Sequence, residues 1–281
     1  MQTLLNTLYV LTQGSYLRLD HETVKIEIEG KTQSQVPLHH LGSIVCFGNV
    51  LVSSGLMARC AEDGRTIVLL DNNGQFRARV EGPVSGNVLL RRAQHETLSS
   101  ADGTAAIARN IVAGKIQNAR HVVLRGGRES GNPEESAILG RTARKLASCL
   151  SILSTCKDLE QIRGIEGDAA RAYFETFNCL IKADRETFRF ETRNRRPPRD
   201  PTNALLSFVY ALLLNDCIGA IEGVGLDPQV GYLHALRPGR ASLALDLMEE
   251  LRPVIADRLT LTLINRRQIT AGDFDERPGG A

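Results

Sequence analysis

The first eighty residues carry a two-residue rhythm. Within residues 23–29, Val24, Ile26 and Ile28 alternate with Lys25, Glu27 and Glu29, the pattern of a strand with one buried face. Residues 16–19 precede it across the short polar turn Asp20-His21-Glu22, so the pair reads as a hairpin. Further strands are predicted at 43–47, 66–70 and 75–80. Asp71-Asn-Asn-Gly74 joins the last two, with residues that accept positive φ. One short helix interrupts the strands: Ser54 caps it, Leu56, Met57 and Cys60 share a face, and Gly64 ends it.

At Gly82-Pro-Val-Ser-Gly-Asn87 the residues that break regular structure concentrate. Beyond it the period becomes helical, with helices predicted near 88–98, 101–117, 133–149, 157–181, 202–221, 240–250 and 253–263. Arg193-Asn-Arg-Arg-Pro-Pro-Arg199 reads as a basic loop, because two prolines forbid a continuing helix. The expected fold class is therefore α+β: a small N-terminal β domain (1–82), a linker (83–87) and a larger all-α domain (88–281).

A length of 281 residues suits two domains. Hydrophobic residues at 42% and charged residues at 23% are ordinary for a globular protein. No apolar run is read as reaching the roughly 18 residues a membrane helix needs, and Met1-Gln-Thr-Leu-Leu opens no signal peptide, so the expectation is cytoplasmic. The six cysteines include no C-x-x-C pair and read as buried reduced thiols rather than zinc ligands. A net charge of only +2 leaves any nucleic-acid argument to local clusters.

Three segments hold candidate chemistry. Glu166 lies between two glycines beside the apolar face of Ile165, Ala169, Ala172 and Tyr173. A carboxylate there needs a partner. A cation is one such partner, although on its own Glu166 reads better as a solvated or salt-bridged helix glutamate. His234 closes the Gly225-Leu-Asp-Pro-Gln-Val-Gly-Tyr-Leu-His run, where an imidazole can bind a metal or simply be a satisfied core histidine. Asp246 and Glu249 are three apart on one helical face and repel unless solvated or bridged by a cation. One imidazole with carboxylates and no thiolate suits Mn²⁺ or Mg²⁺; spacing alone does not bring the segments together. Basic residues supply a phosphate-binding counterpart. Lys182, Arg185, Arg189, Arg193, Arg195, Arg196 and Arg199 face only three acids, Asp184, Glu186 and Glu191, with Phe188 and Phe190 interleaved. Arg141, Arg144 and Lys145 form a second group on a predicted helix, which reads as a DNA contact or as a solvated face.

These residues, in this order, resemble the CRISPR-associated integrase family of spacer acquisition, the first-numbered CRISPR-associated protein. The likeness runs through Phe47-Gly, Asp71-Asn-Asn-Gly-Gln-Phe76, Gly82-Pro-Val-Ser-Gly-Asn-Val and Gly-Ile-Glu166-Gly. It continues through Arg195-Arg-Pro-Pro-Arg-Asp-Pro-Thr-Asn-Ala-Leu-Leu-Ser207, Gly-Tyr-Leu-His234 and Ser242-Leu-Ala-Leu-Asp-Leu-Met-Glu-Glu-Leu-Arg-Pro253. Its N-terminal part is similar to the I-C subtype. The resemblance implies a metal-dependent DNA integrase and endonuclease with a β domain that pairs two copies into a homodimer. It implies Glu166, His234 and Glu249 as ligands of the Mn²⁺ or Mg²⁺, and Asp246 as a further acidic catalytic position. It places Arg195, Arg196 and Arg199 near double-stranded DNA, and makes the second-numbered CRISPR-associated protein the partner. The implied reaction is transesterification, in which a 3′-hydroxyl of a short duplex attacks a phosphodiester at the edge of a CRISPR repeat. Family members continue with further helical chain past the position of Ala281, which implies a C-terminally shortened chain. Two other readings compete: a catalytically idle DNA-binding scaffold of the same fold, and a free-standing metal-dependent nuclease.

Overall fold

A computed structural model describes residues 6–82, 87–194 and 197–274. The architecture is α+β. The chain divides into two compact units, Met1–Asn87 with Gly223–Gly225, and Val88–Glu222 with Leu226–Ala281. Most of the predicted linker, residues 83–86, lies outside the described residues.

The first unit holds strands β1 (Asn6–Val10), β2 (Ser15–Asp20), β3 (Thr23–Ile28), β4 (Lys31–Pro37), β5 (Leu41–Phe47), β6 (Leu51–Val52), β7 (Thr66–Leu70) and β8 (Phe76–Val80). They form two four-stranded sheets, ordered β1-β5-β7-β8 and β4-β3-β2-β6. The hairpin read from the sequence is β2–β3, with Leu17 opposite Ile26 and Asp20 opposite Thr23, and His21 takes the positive φ of its turn. Three strands escaped the sequence reading. The polar segment β4 is an almost wholly exposed strand specified by its pairing to β3, so no buried face marks it. The other two, β1 and β6, pair in parallel with β5 and β2, contacts remote in sequence. Helix α1 (Ser54–Glu62) is capped by Ser53, whose hydroxyl accepts from Leu56 N at 3.3 Å, one residue before the expected Ser54. Leu17, Val24, Ile44, Leu56, Cys60 and Ile67 of both sheets and α1 share one core.

The second unit is helical: α2 (Val88–Ser99), α3 (Ala101–Glu129), α4 (Pro133–Leu153), α5 (Leu159–Glu175), α6 (Pro201–Gly223), α7 (Ser242–Leu251) and α8 (Arg258–Asn265). Helix α3 runs twelve residues past the expected end at 117, because Ala119, Val122 and Val123 continue its buried stripe. Helix α5 starts where Asp158 accepts from Gln161 N at 2.9 Å. It stops at Glu175, short of the expected 181, and a 3₁₀ turn over Phe177–Leu180 follows. Pro253 does not separate the last two helices. A π-helical segment, Arg252–Asp257, carries the chain from α7 into α8, the wider turn that tolerates a missing N–H. Against the sequence reading, α6 contains an 18-residue window of mean hydropathy 1.9, long and apolar enough to span a membrane. That helix buries Leu206, Val209, Tyr210, Leu213 and Cys217 in the helical core.

All six cysteines are free; five are buried and Cys179 is half-buried. Burial pushes the Cys46 thiol up to about 12 and the Cys217 thiol to about 11, which makes them poor nucleophiles. Phe188 and Phe190 point inward, each 1% exposed. Phe190 lies 5.1 Å from Phe177 and 5.7 Å from Phe174, centroid to centroid, so neither ring is presented to nucleic acid. Phe190→Ala is expected to lower stability by about 3–5 kcal/mol, read from urea unfolding; a loss near zero would contradict this packing.

Candidate active site

The site is assembled on Asp246 of α7. Its side chain is fully buried and accepts four hydrogen bonds. Oδ2 takes Tyr232 N at 2.6 Å and Leu233 N at 2.9 Å, while Oδ1 takes His234 N at 2.9 Å and His234 Nδ1 at 2.7 Å. Three successive backbone amides and a ring nitrogen thus satisfy one carboxylate, which is how a buried anion is retained. Because Nδ1 donates to Asp246, Nε2 is the nitrogen left with a free lone pair. It lies 3.8 Å from Glu249 Oε1.

Two further features hold the loop. Gly231 passes so close to the start of α7 that a Cβ would lie 2.6 Å from Ser242 C and 2.8 Å from Leu243 N, so glycine is required there for contact rather than for φ. From α5, Arg163 donates Nε and Nη2 to Leu233 O at 2.9 and 2.6 Å. One turn further on, α5 presents Glu166. The same helix therefore supplies an acid and fixes the backbone next to the histidine.

Glu166, His234 and Glu249 line one cavity of about 400 Å³, with Lys115, Arg252 and Asp257 on its wall. Glu249 is 4% exposed and pairs with Lys115 Nζ at 2.6 Å through Oε2, and with Arg252 through Oε1. Burial alone would raise its carboxyl, but Lys115 and Arg252 outweigh burial and hold it down at about 2. Lys115 also pairs with Glu166. Among the described residues no three acidic, histidine or cysteine side chains already stand at metal-binding distances. Two carboxylates and the imidazole nitrogen Nε2 nevertheless converge on one cavity, and a cation, the Lys115 ammonium, already lies between the carboxylates. This donor set fits a divalent cation of the Mg²⁺ or Mn²⁺ kind. Asp246 faces the histidine instead: all four of its described contacts go to the 232–234 segment.

On the cavity wall, Asp257 of the π segment accepts from Tyr210 OH at 2.6 Å and Tyr173 OH at 3.0 Å. Burial lifts its carboxyl to about 6 despite those donors. Arg252 and Arg193 stack on the Tyr210 ring, at 4.9 and 5.2 Å from its centroid. Lys115, Arg163, Arg252 and Asp257 were all missed from the sequence. Lys115 and Arg163 are ordinary residue types on α-helices, and Arg252 and Asp257 begin and end the π segment; only tertiary packing turns each toward the cavity.

The five described members of the basic group have different partners. Arg193 lines the cavity and donates to Asn203 Oδ1 at 2.7 Å and Ser207 Oγ at 3.0 Å. Arg185 forms a bidentate pair with Glu135 at 2.6 and 3.1 Å. Lys182 donates to Glu129 O at 2.9 Å, and Arg189 pairs with Glu191 at 3.3 Å on open surface. Arg199 is exposed. Arg195 and Arg196 lie outside the described residues. Arg141, Arg144 and Lys145 are exposed on α4.

The family model "CRISPR associated protein Cas1" matches residues 8–281. The chain belongs to the Cas1 family. It is 64% identical, over its whole length and 82% of the relative's, to a CRISPR-associated endonuclease Cas1 of Moorella thermoacetica. It superposes with a TM-score of 0.81 on a Cas1 protein of Thermotoga maritima, at 27% identity over 98% of this chain and 84% of that one. Two more distant structures share the fold. One is a Cas6-RT-Cas1–Cas2 complex (TM-score 0.78, 24% identity, 99% of this chain and 30% of that one). The other is a casposase bound to integration product (0.77, 22%, 97% and 76%). The chain is an endonuclease of the Cas1 family.

Two outcomes follow from these contacts. Asp246→Asn turns an amide NH₂ toward backbone N–H groups and is expected to destabilise the protein by about 2–4 kcal/mol, read from urea unfolding; an unchanged midpoint would contradict the four-bond arrangement. Asp257 has a raised folded pKa, so its contribution is greatest below the unfolded value near 4 and is lost as pH rises through about 6. Relative to Asp257→Asn, the parent is expected to lose on the order of 2–3 kcal/mol between pH 4 and pH 7. Parallel stability profiles for the two proteins would refute the assignment.

Proposed function

We propose that the chain inserts short duplex DNA into a CRISPR array by metal-dependent transesterification, with Glu166, His234 and Glu249 as the cation's ligands. The observation that carries this reading is the convergence of these three side chains, from α5, the 225–234 loop and α7, on one cavity with a cationic group between the two carboxylates. Mn²⁺ or Mg²⁺, when bound there, polarises a phosphate oxygen and stabilises the charge that develops on the phosphate.

The chain's own residues do the rest. Asp246 serves catalysis by positioning: it keeps the proton on His234 Nδ1 and so presents Nε2 to the cavity. One lone pair does one thing at a time, so Nε2 either binds the cation or accepts the proton of the attacking hydroxyl. Arg252 and Arg163 make the wall cationic, which favours the approach of a phosphodiester. The 3′-oxygen of the incoming strand bonds to phosphorus as the repeat's own 3′-oxygen leaves with a proton. Water in place of the hydroxyl gives hydrolysis, the endonuclease reaction.

The duplex tracks over Lys182, Arg185, Arg189, Arg193, Arg195, Arg196 and Arg199. Lys182, Arg185, Arg189 and Arg199 are exposed; the first three must leave Glu129, Glu135 and Glu191 to meet phosphates. The β unit pairs two copies into a homodimer, and the second-numbered CRISPR-associated protein, Cas2, is the assembly partner. The N-terminal likeness favours subtype I-C, and the enzyme works in the cytoplasm, where the array is.

The test is transfer of a labelled short duplex into a repeat-containing plasmid, with Mn²⁺ and the partner present. Glu166→Ala and His234→Ala are each expected to reduce transfer by at least about a hundredfold while retaining DNA binding. Equal transfer by all three proteins would overturn the ligand assignment.

A further inference from the structure

Lys115 belongs to none of the motifs. Helix α3 places it against α5 and α7, and Gly114 beside it marks a close approach: a Cβ there would lie 2.9 Å from the Glu250 side chain. The Lys115 side chain is 14% exposed. A buried ammonium needs anionic partners, and it has two, Glu166 and Glu249. These are the two carboxylates assigned above to the divalent cation.

We propose that Lys115 is the built-in counter-ion of the metal centre: it bridges Glu166 and Glu249 in the metal-free protein and is displaced from between them when a divalent cation binds. The proposal rests on the metal reading of the preceding subsection. Its physics is a competition of charges. With the ammonium in place, two carboxylates that would otherwise repel are held together on neighbouring helices. A divalent cation taking the same oxygens brings twice the charge and cannot share the gap with the ammonium at contact distance. Lys115 therefore does two opposite things. It stabilises the metal-free fold, and it sets a threshold that the cation must exceed.

The opposition gives a diagnostic sign. Removing a residue that merely shapes the site weakens metal binding, whereas removing a competitor tightens it. The experiment titrates the full chain with Mn²⁺ alone and follows free Mn²⁺ by electron paramagnetic resonance. It compares the parent with Lys115→Met, Lys115→Gln, Lys115→Arg and Glu249→Gln. Lys115→Met is expected to bind Mn²⁺ about tenfold more tightly, and its metal-free Tm is expected to fall below the parent's. Lys115→Gln, which can still donate a hydrogen bond but carries no charge, is expected to shift in the same direction and serves if Lys115→Met folds poorly. Lys115→Arg keeps the charge and is expected to stay near the parent. Unchanged or weaker binding by both uncharged variants, with Glu249→Gln weakened, would overturn the exchange and leave the metal centre standing. Parent-like binding by Glu249→Gln would overturn the metal centre, and the exchange with it.

Discussion

Everything at this site depends on how one buried carboxylate is satisfied. Asp246 has no solvent and accepts four N–H donors from the 232–234 segment. A charge so deep persists only while those donors stay in place, so the loop's conformation and the carboxylate's burial stabilise each other. The ring of His234 inherits its orientation and tautomer from that arrangement. Glu249, one helical turn along α7, faces the cavity rather than the loop. Two acids that look equivalent in sequence thus have separate settings: Asp246 holds the loop, and Glu249 lines the cavity.

The cavity is a balance of opposite charges. Glu249 remains ionised, at about 2, because Lys115 and Arg252 outweigh its burial. Asp257, a few residues on, meets two tyrosine hydroxyls instead of a contacting cation, and its carboxyl rises to about 6. The contrast shows what each carboxylate's partner decides. Between Glu166 and Glu249 the protein supplies a cation of its own, the Lys115 ammonium.

The sequence made the main outline legible because that outline rests on local periodicity. The two-residue rhythm at 23–29 gave β3, and the stripes of α4 and α6 gave those helices within a few residues. What escaped was specified from a distance. Strand β4 exists because β3 lies beside it, and the π segment through Pro253 exists because α7 and α8 pack as one run. At the site, Glu166, His234, Asp246 and Glu249 stood out through residue type and family likeness. The division of labour between Asp246 and Glu249 did not, since a helical spacing of three cannot say which acid faces a loop. The basic run of 182–199 was legible as charge only; in the fold Lys182, Arg185 and Arg189 pair with Glu129, Glu135 and Glu191, and Arg193 lines the cavity.

The central claim is that Asp246 acts through hydrogen bonds that fix His234 with Nε2 bare. It is tested most directly by long-range ¹H–¹⁵N NMR of metal-free, histidine-labelled protein, with the His234 resonances assigned by difference from His234→Gln. The account requires the Nδ1–H tautomer, with the shift of an unprotonated nitrogen at Nε2. An Nε2–H tautomer, or averaging between the two, would contradict it.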